Sequence, residues 1–282
     1  MENESLSYGS DYHYIPVTSL ASGEGRDVAP DVYCLTVQIV NVVYIGAPGG
    51  QDWVLVDAGM PGSADRIIAA AERRFGDVPP QCLILTHGHF DHVGAVIELL
   101  KRWNMPIYAH EQELRHLTGR SRYPYPDALV EGGLVAKMSP MFPIEPIRLS
   151  DHVQALPAGG EVPGLPDWRW LHTPGHTIGH ISLFRERDRT LIAGDAFVTV
   201  DQDSLYKVFV QKREVSGPPR YLTPDWEAAK RSVMLLNGLR PQVAVTGHGM
   251  PMEGDELAEG LSNLALDFDR IALPDYGKYV KH

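Results

Sequence analysis

The sequence has few cysteines, no long apolar run and no excess of positive charge. Its 282 residues include only two cysteines, Cys34 and Cys82. Both lie in apolar stretches where a buried free thiol is common, so we expect no disulfide framework. The longest apolar stretch, residues 32–46, is interrupted by polar side chains and falls short of the ~18 apolar residues that a membrane-spanning helix needs. The first five residues contain two glutamates and no basic residue, whereas a secretion signal starts with basic residues, so we expect a cytoplasmic protein.

The charge balance argues against several classes of partner. Lysine and arginine number 25 against 36 aspartates and glutamates, which gives a formal net charge of −11. This is the wrong sign for a protein that neutralises the phosphates of a nucleic acid or lies on an anionic membrane. We therefore expect a small-molecule substrate, no nucleic acid and no membrane, and the sequence indicates no oligomeric state.

The distribution of apolar residues predicts one domain over residues 1–282. Hydrophobic residues make up 44% of the chain, which is enough for a large core. Helical periodicity and end signals predict helices at residues 63–75, 91–103, 224–237 and 255–273. Residues 110–165 are rich in proline, glycine, methionine and tyrosine, which favours an irregular insertion at the substrate cleft over a separate domain.

The 12 histidines are the least ordinary feature, because imidazole is the commonest metal ligand. The segment Thr-His-Gly-His-Phe-Asp-His places His87, His89, Asp91 and His92 directly after a predicted buried strand. Gly88 has no Cβ, so the imidazoles on either side of it can turn towards one point. Structural zinc sites are usually closed and rich in sulfur, and neither cysteine is adjacent. The cluster therefore predicts an open, reactive metal site.

Three later motifs each place a histidine or an aspartate beside glycine at a predicted strand end. They contain His176 with His180, Asp195, and His248. In their order, and over nearly the whole length from Val32 to His248, these motifs and the first cluster resemble the metallo-β-lactamase superfamily. The resemblance implies an α+β fold, a four-layer αββα sandwich with the metal site at one edge of the sheets.

The same resemblance implies two divalent metal ions, with zinc expected and manganese or iron as alternatives. In the family pattern the first ion is held by His87, His89 and His176, the second by Asp91, His92 and His248, and Asp195 bridges both. Asp57 and His180 match positions that support the ligand loops from behind. From the residues alone, Asp57 is equally a turn residue beside Gly59, and His180 is a packed strand residue.

The chemistry of such a site is hydrolysis. Metal coordination lowers the pKa of bound water to about 7, so hydroxide forms at neutral pH without a strong base. A metal-bridging hydroxide would attack the substrate, and Asp91 is the expected catalytic residue, since it can orient the nucleophile and pass a proton to the leaving group. We expect a hydrolase of a small carboxylic ester, thioester or lactone. The apolar insertion predicts a substrate with an apolar portion.

The motifs around His176 and Asp195 resemble those of glyoxalase II and of lactonases. Only 34 residues follow His248, too few for the helical part with which glyoxalase II grips glutathione. Val198 stands where quorum-quenching lactonases carry tyrosine, and zinc β-lactamases generally lack an aspartate at the position of Asp195. Three alternatives stay open: a mononuclear iron persulfide dioxygenase, a phosphodiesterase of the same superfamily, and a non-catalytic protein that retains the fold.

Overall fold

The computed structural model describes residues 6–281, which form two compact units. Unit 1 comprises residues 6–17, 22–123 and 143–166, and unit 2 comprises residues 18–21, 124–142 and 167–281. Residues 1–5, which carry the expectation about a secretion signal, lie outside the described residues. The prediction of one domain over the whole chain stays a prediction.

Unit 1 contains a seven-stranded mixed sheet whose spatial order follows the chain order. Its strands are β1 (Gly25–Ala29), β2 (Val32–Val37), β3 (Val40–Ile45), β4 (Val54–Val56), β5 (Leu83–Ile84), β6 (Ile107–Ala109) and β7 (Val153–Ala155). Neighbours from β1 to β4 pair antiparallel, and neighbours from β4 to β7 pair parallel. The carboxyl ends of β4 and β5 therefore lie at the same edge of the sheet.

Helix α1 (Ala64–Phe75) confirms the helix predicted at residues 63–75. Ser63 stands at its amino end, and Gly76, at φ 72°, ends it in a conformation that glycine adopts without strain. Its buried face includes Ile67 and Phe75. The Phe75 ring stacks on Trp53 with centroids 4.5 Å apart, which ties the helix to the core of unit 1.

Helix α2 (Val96–Trp103) begins five residues after the predicted start at residue 91, so the predicted start is wrong and Asp91 lies outside the helix. The residues between carry backbone hydrogen bonds to the loop after β4 instead. Ala58 N–H donates to the His92 carbonyl at 2.7 Å, and Gly94 N–H donates to the Gly59 carbonyl at 2.8 Å. These bonds hold the chain in a non-helical path until Val96.

Residues 110–165 consist of short elements. They are α3 (Leu114–Leu117), α4 (Gly133–Met138), β7, β8 (Glu161–Val162) and 3₁₀ turns at Ser139–Met141 and Ser150–His152. Strand β7 extends the sheet of unit 1, whereas residues 124–142 belong to unit 2.

The second sheet has six strands in the spatial order β13-β12-β11-β10-β9-β8. The strands after β8 are β9 (Leu165–His172), β10 (Ile181–Arg185), β11 (Thr190–Gly194), β12 (Val243–Thr246) and β13 (Met252–Glu253). Strand β10 pairs antiparallel with both β9 and β11, and β11 pairs parallel with β12. Strands β9, β11 and β12 therefore run in one direction, and their carboxyl ends lie at one edge.

The helices of unit 2 are α5 (Leu205–Val210), α6 (Trp226–Gly238), α7 (Gly254–Leu266) and α8 (Phe268–Ile271), with a 3₁₀ turn at Arg220–Leu222. The Asp225 side chain accepts from Ala228 N–H at 2.9 Å and starts α6 where it was predicted. The single helix predicted at residues 255–273 is wrong, because the chain leaves helical geometry at Asp267. Phe268 thereby turns into the core beside Trp226, with ring centroids 6.4 Å apart. Across residues 6–281, no helix has the length and apolar character needed to cross a membrane.

Candidate metal centre

Asp57 and the predicted ligand loop follow the ends of two neighbouring parallel strands, β4 and β5. Asp57 N–H donates to the Ile84 carbonyl at 2.9 Å and extends the ladder past the end of β4. Asp57 adopts a left-handed conformation, φ 62°, and its Oδ1 accepts from Thr86 N–H at 2.8 Å. Its carboxylate is therefore buried directly behind the loop that carries the histidines.

Asp57 and Thr86 together fix where two histidines carry their protons. The Thr86 hydroxyl donates to Asp57 Oδ2 at 2.7 Å, so its oxygen is left to accept from His87 Nδ1 at 3.1 Å. The same Asp57 Oδ2 accepts from His92 Nδ1 at 2.8 Å. Both imidazoles thus carry the proton on Nδ1, and in the neutral form their lone pair is on Nε2. That is the tautomer in which Nε2 binds a metal.

The two other predicted ligands of this loop lie in the same buried cluster. The His89 ring meets the His87 ring edge to face, with centroids 4.8 Å apart. Asp91 Oδ2 lies 3.9 Å from His92 Nε2. Unit 1 therefore brings together all four side chains that the first motif predicts, and each is buried.

A buried glutamate that no sequence motif predicts supports the loop from the other side. Glu113 is fully buried, and its Oε2 accepts from both Gly88 N–H, at 3.2 Å, and the Tyr123 hydroxyl. Burial raises the pKa of Tyr123 well above its ordinary value, so the hydroxyl keeps its proton and donates. The Tyr123 ring lies 4.6 Å from the His89 ring. Glu113 and Tyr123 both lie in the insertion, residues 110–165, where no local sequence pattern marks them.

In unit 2 the other three predicted ligands follow the carboxyl ends of β9, β11 and β12. They are His176, Asp195 and His248, and all three are buried. Gly194, at the end of β11, is paired with Thr246, at the end of β12, and Gly247 N–H donates to the Gly194 carbonyl at 2.8 Å. The strand pairing therefore sets Asp195 and His248 side by side.

One carboxylate oxygen lies between the two histidines of unit 2. Asp195 Oδ2 is 3.4 Å from His176 Nε2 and 3.3 Å from His248 Nε2. Two donor atoms that bind one tetrahedral zinc ion, each at about 2.0–2.1 Å from it, lie roughly 3.3 Å apart. Both distances therefore match ligands that share an ion.

The ring proton of His176 is placed on Nδ1 in the same way as the ring protons of His87 and His92 in unit 1. Its Nδ1 lies 3.2 Å from the Thr223 hydroxyl oxygen, and the Thr223 hydroxyl itself donates to the Pro219 carbonyl at 2.8 Å. The Thr223 oxygen is thus left to accept from His176 Nδ1, which puts the lone pair of the neutral imidazole on Nε2. Thr223 stands outside every motif, and the sequence did not point to it.

His180 positions the backbone of Asp195 through a chain of hydrogen bonds. Asp195 N–H donates to His180 Nε2 at 2.8 Å, so the ring proton is on Nδ1, which donates to the Thr173 hydroxyl oxygen at 2.9 Å. Thr173 in turn donates to Ser182 Oγ at 3.0 Å, because the Ser182 hydroxyl donates to the Ala193 carbonyl at 3.0 Å. Both ring nitrogens of His180 are therefore engaged in orienting Asp195.

The donor set in each unit fits a divalent cation. His92 Nε2 faces a carboxylate oxygen in unit 1, and His176 Nε2 faces one in unit 2. Two lone pairs that face each other in a buried site repel unless a proton or a metal cation lies between them. Imidazole nitrogen together with carboxylate oxygen is a donor set that zinc, manganese and iron all accept.

Comparisons with known proteins agree on one family. The model of the metallo-beta-lactamase superfamily matches residues 35–248. The chain is 50% identical over 254 residues to the "probable metallo-hydrolase YflN" of Bacillus subtilis (strain 168), covering 89% of this chain and 96% of the relative. It is 28% identical over 143 residues to "hydroxyacylglutathione hydrolase GloC" of Haemophilus influenzae, covering 50% of this chain and 59% of that relative.

The fold has counterparts among solved structures. The crystal structure of TTHA1623 in a di-iron-bound form superposes with a TM-score of 0.53 at 23% identity, covering 80% of this chain and 97% of that chain. This likeness and the two mixed sheets confirm the predicted α+β class of metallo-β-lactamase type. The family match spans more than half of the chain and confirms the resemblance in the motifs. The chain therefore belongs to the metallo-β-lactamase superfamily and is a metal-dependent hydrolase.

Proposed function

We propose that the protein uses two divalent metal ions to hydrolyse a small carboxylic ester, thioester or lactone. Zinc is the expected metal, and manganese and iron are the alternatives. The observation that carries this proposal is the position of Asp195 Oδ2 between His176 Nε2 and His248 Nε2, at 3.4 and 3.3 Å. A carboxylate flanked by two imidazole ligands is suited to bridge two ions.

The ligand allocation follows the family pattern. The first ion would be held by His87, His89 and His176, the second by Asp91, His92 and His248, with Asp195 shared. The fixed Nδ1–H tautomers of His87, His92 and His176 support their roles, since each directs Nε2 away from its hydrogen-bond partner. Asp57, through Thr86, and His180 act by orienting these ligands.

When bound, the two ions supply hydroxide at neutral pH and polarise the oxygen of the carbonyl under attack. The protein's own part in the reaction is positioning and proton transfer. Asp91 is the catalytic residue: its carboxylate accepts a hydrogen bond from the nucleophile, takes up its proton and delivers it to the leaving oxygen or sulfur. No serine or cysteine nucleophile is required, and both cysteines are buried with the pKa of the thiol raised to about 12.

Two observations support the substrate class. The Haemophilus influenzae relative is named a hydroxyacylglutathione hydrolase, which supports a thioester among the candidate substrates. In unit 2, Leu134 and Met141 of the insertion are exposed apolar side chains, which supports a substrate with an apolar portion. The free cysteines support a cytoplasmic location.

A panel of small esters, thioesters, lactones and phosphodiesters tests the proposal on the metal-loaded protein. We expect hydrolysis of at least one carboxylic substrate, and a loss of about 10²–10⁴-fold in kcat per bound metal in Asp91→Asn. Asp65→Asn, an exposed aspartate on α1, is the matched control and should be unchanged. Hydrolysis of phosphodiesters alone, or full activity in Asp91→Asn, would contradict the proposal.

A further inference from the structure

Residues 219–223 form a turn in which successive residues contact three different parts of unit 2. The turn contains the 3₁₀ segment Arg220–Leu222, and Leu222 N–H donates to the Pro219 carbonyl at 3.2 Å. Its last residue, Thr223, is fully buried and meets His176. Because the Pro219 carbonyl accepts from both Leu222 and Thr223, the hydroxyl of Thr223 has one orientation, set by the turn itself.

Tyr221 attaches the turn to the insertion. Its carbonyl accepts from Asp127 N–H at 2.9 Å, and its ring, which is buried, meets Phe142 with centroids 5.6 Å apart. Val130 and Val135 belong to the same small apolar cluster as Tyr221. The insertion therefore contacts the turn through backbone and side chain together.

Arg220 attaches the turn to the end of the chain. Its guanidinium donates from Nε to the Ala272 carbonyl at 3.1 Å and from Nη2 to the Ile271 carbonyl at 3.2 Å. Its Nη1 lies 3.3 Å from Asp203 Oδ2 and 3.4 Å from Glu131 Oε2. Since Glu131 is also in the insertion, Arg220 reinforces the attachment that Tyr221 makes.

We propose that this turn is a positioning element through which the insertion controls metal binding at His176. Thr223 fixes the Nδ1–H tautomer and the ring orientation of His176, and the insertion holds Thr223 in place through Tyr221 and Arg220. The inference rests on the proposed function in one respect, which is that His176 is a metal ligand. Its consequence is that side chains in the insertion that touch no ligand still set the metal affinity.

Two variants test the role of the Thr223 hydroxyl separately from that of the Thr223 methyl group. Thr223→Val keeps the shape and removes the hydroxyl, whereas Thr223→Ser keeps the hydroxyl and removes the methyl group. We expect zinc affinity, measured by competition with a chromophoric chelator on the full-length protein, to fall by about 10–100-fold in Thr223→Val and to stay within about threefold in Thr223→Ser. Equal affinities in Thr223→Val and the parent, or equal losses in both variants, would overturn the role of the hydroxyl.

The route through the insertion is tested by a double-mutant cycle. Phe142→Ala removes the ring that contacts Tyr221, and we expect it to weaken zinc binding severalfold. Combined with Thr223→Val it should weaken binding no further than Thr223→Val alone, because both changes act through one contact. Leu129→Ala, at an 82% exposed residue of the same insertion, is the control and should bind zinc as the parent does. Losses that multiply in the double variant would refute transmission through Thr223.

Two further measurements separate this inference from the proposed function. Urea unfolding of the zinc-free variants shows whether a loss of affinity is a loss of folding, since a purely structural role lowers stability and leaves the affinity of the folded protein unchanged. His176→Ala should lose the first of the two ions. If it does while Thr223→Val binds normally, only the positioning role fails; if His176→Ala binds two ions as the parent does, the proposed ligand set fails.

Discussion

Thr86 and Thr223 perform the same task in the two units. Each hydroxyl donates its proton to a fixed acceptor, Asp57 Oδ2 or the Pro219 carbonyl, and each is thereby left to accept from a histidine Nδ1. A hydroxyl has one proton, so the direction of each bond follows from its neighbour. The tautomers of His87 and His176 are thus set by hydroxyl groups that are not among the predicted ligands.

Asp57→Asn tests this arrangement at the residue that serves two ligands. The amide presents one acceptor in place of two. Its NH2 group meets the Thr86 N–H if it replaces Oδ1, and it meets both the Thr86 hydroxyl and His92 Nδ1 if it replaces Oδ2. We expect zinc affinity to fall by about 10–100-fold with little change in the fold. Chelator competition and circular dichroism on the same sample check both parts, and parent-like zinc affinity would show that Asp57 only shapes its turn.

Asp203 gives unit 2 a pH-dependent contribution to stability. Burial raises the pKa of Asp203 from 3.8 to about 6, against the lowering effect of Arg220 and with Asp201 and Glu131 adding to the rise. The folded form therefore binds a proton that the unfolded chain releases between about pH 4 and 6. The stability that this carboxyl contributes is complete below that window and is lost as pH rises through it.

Asp203→Asn mimics the protonated carboxyl and should remove this loss. We expect the free energy of unfolding of the variant to rise relative to the parent by at most about 3 kcal/mol between pH 4 and 7, as a shift of about two pKa units implies. Urea unfolding of both proteins at several pH values measures the difference. The predicted metal ligands are the same in both proteins, so their contribution to the pH dependence cancels. A difference that does not change with pH would rule out a titrating Asp203.

At the scale of elements, the two ligand loops depend on parallel strand pairs. The pair β4 and β5 sets Asp57 beside Thr86, and the pair β11 and β12 sets Asp195 beside His248. Parallel neighbours end at one edge, so residues far apart in the chain meet without a long loop. Residues 83–87 and 243–248 both run from an apolar stretch through threonine to a histidine, and this similarity reflects the shared use of strand ends.

Gly94→Ala tests how closely the loop after β4 must approach the start of α2. A Cβ at Gly94 would lie 2.3 Å from Pro61 N and 2.4 Å from the Met60 carbonyl carbon, which are backbone atoms that cannot move aside. We expect a loss of more than about 2 kcal/mol in the free energy of unfolding, together with weaker zinc binding, because Asp57 and His92 are on the two segments forced apart.

The matched control for that change is Gly238→Ala at the end of α6, where an added Cβ meets nothing within 4 Å. It should leave stability and zinc binding unchanged or raise stability slightly. Urea unfolding and chelator competition serve for both variants. Similar behaviour of the two alanine variants would contradict the close approach at Gly94.

The sequence predicted the elements and the candidate ligands better than it predicted the residues that support them. Helix α1 was predictable because serine and glycine mark its ends. The candidate ligands stood out because histidine and aspartate recur beside glycine at strand ends, and their role as ligands stays a prediction. The start of α2 was not predictable from the sequence, because Asp91 is a residue type that often precedes a helix. Only the backbone hydrogen bonds to Ala58 and Gly59, which are distant in the sequence, delay the start of the helix to Val96. Glu113 and Thr223 were missed because a single side chain that acts across the fold leaves no local pattern.

At the scale of the whole molecule, the net charge of −11 and the buried carboxylates both favour the binding of cations. Excess negative charge favours the uptake of cations and disfavours polyanionic partners. Buried aspartates such as Asp91 and Asp195 are costly without a cation, so metal binding and the stability of the folded chain are linked.

Elemental analysis of the purified protein, with hydrolysis measured on the same sample, is the most direct test of the proposal that the protein is a dinuclear hydrolase. About two zinc or manganese ions per chain, lost together with activity when a chelator is added and regained when metal is returned, is the predicted result. A single iron ion per chain, with no hydrolysis of esters, thioesters or lactones, would contradict it and would favour a persulfide dioxygenase.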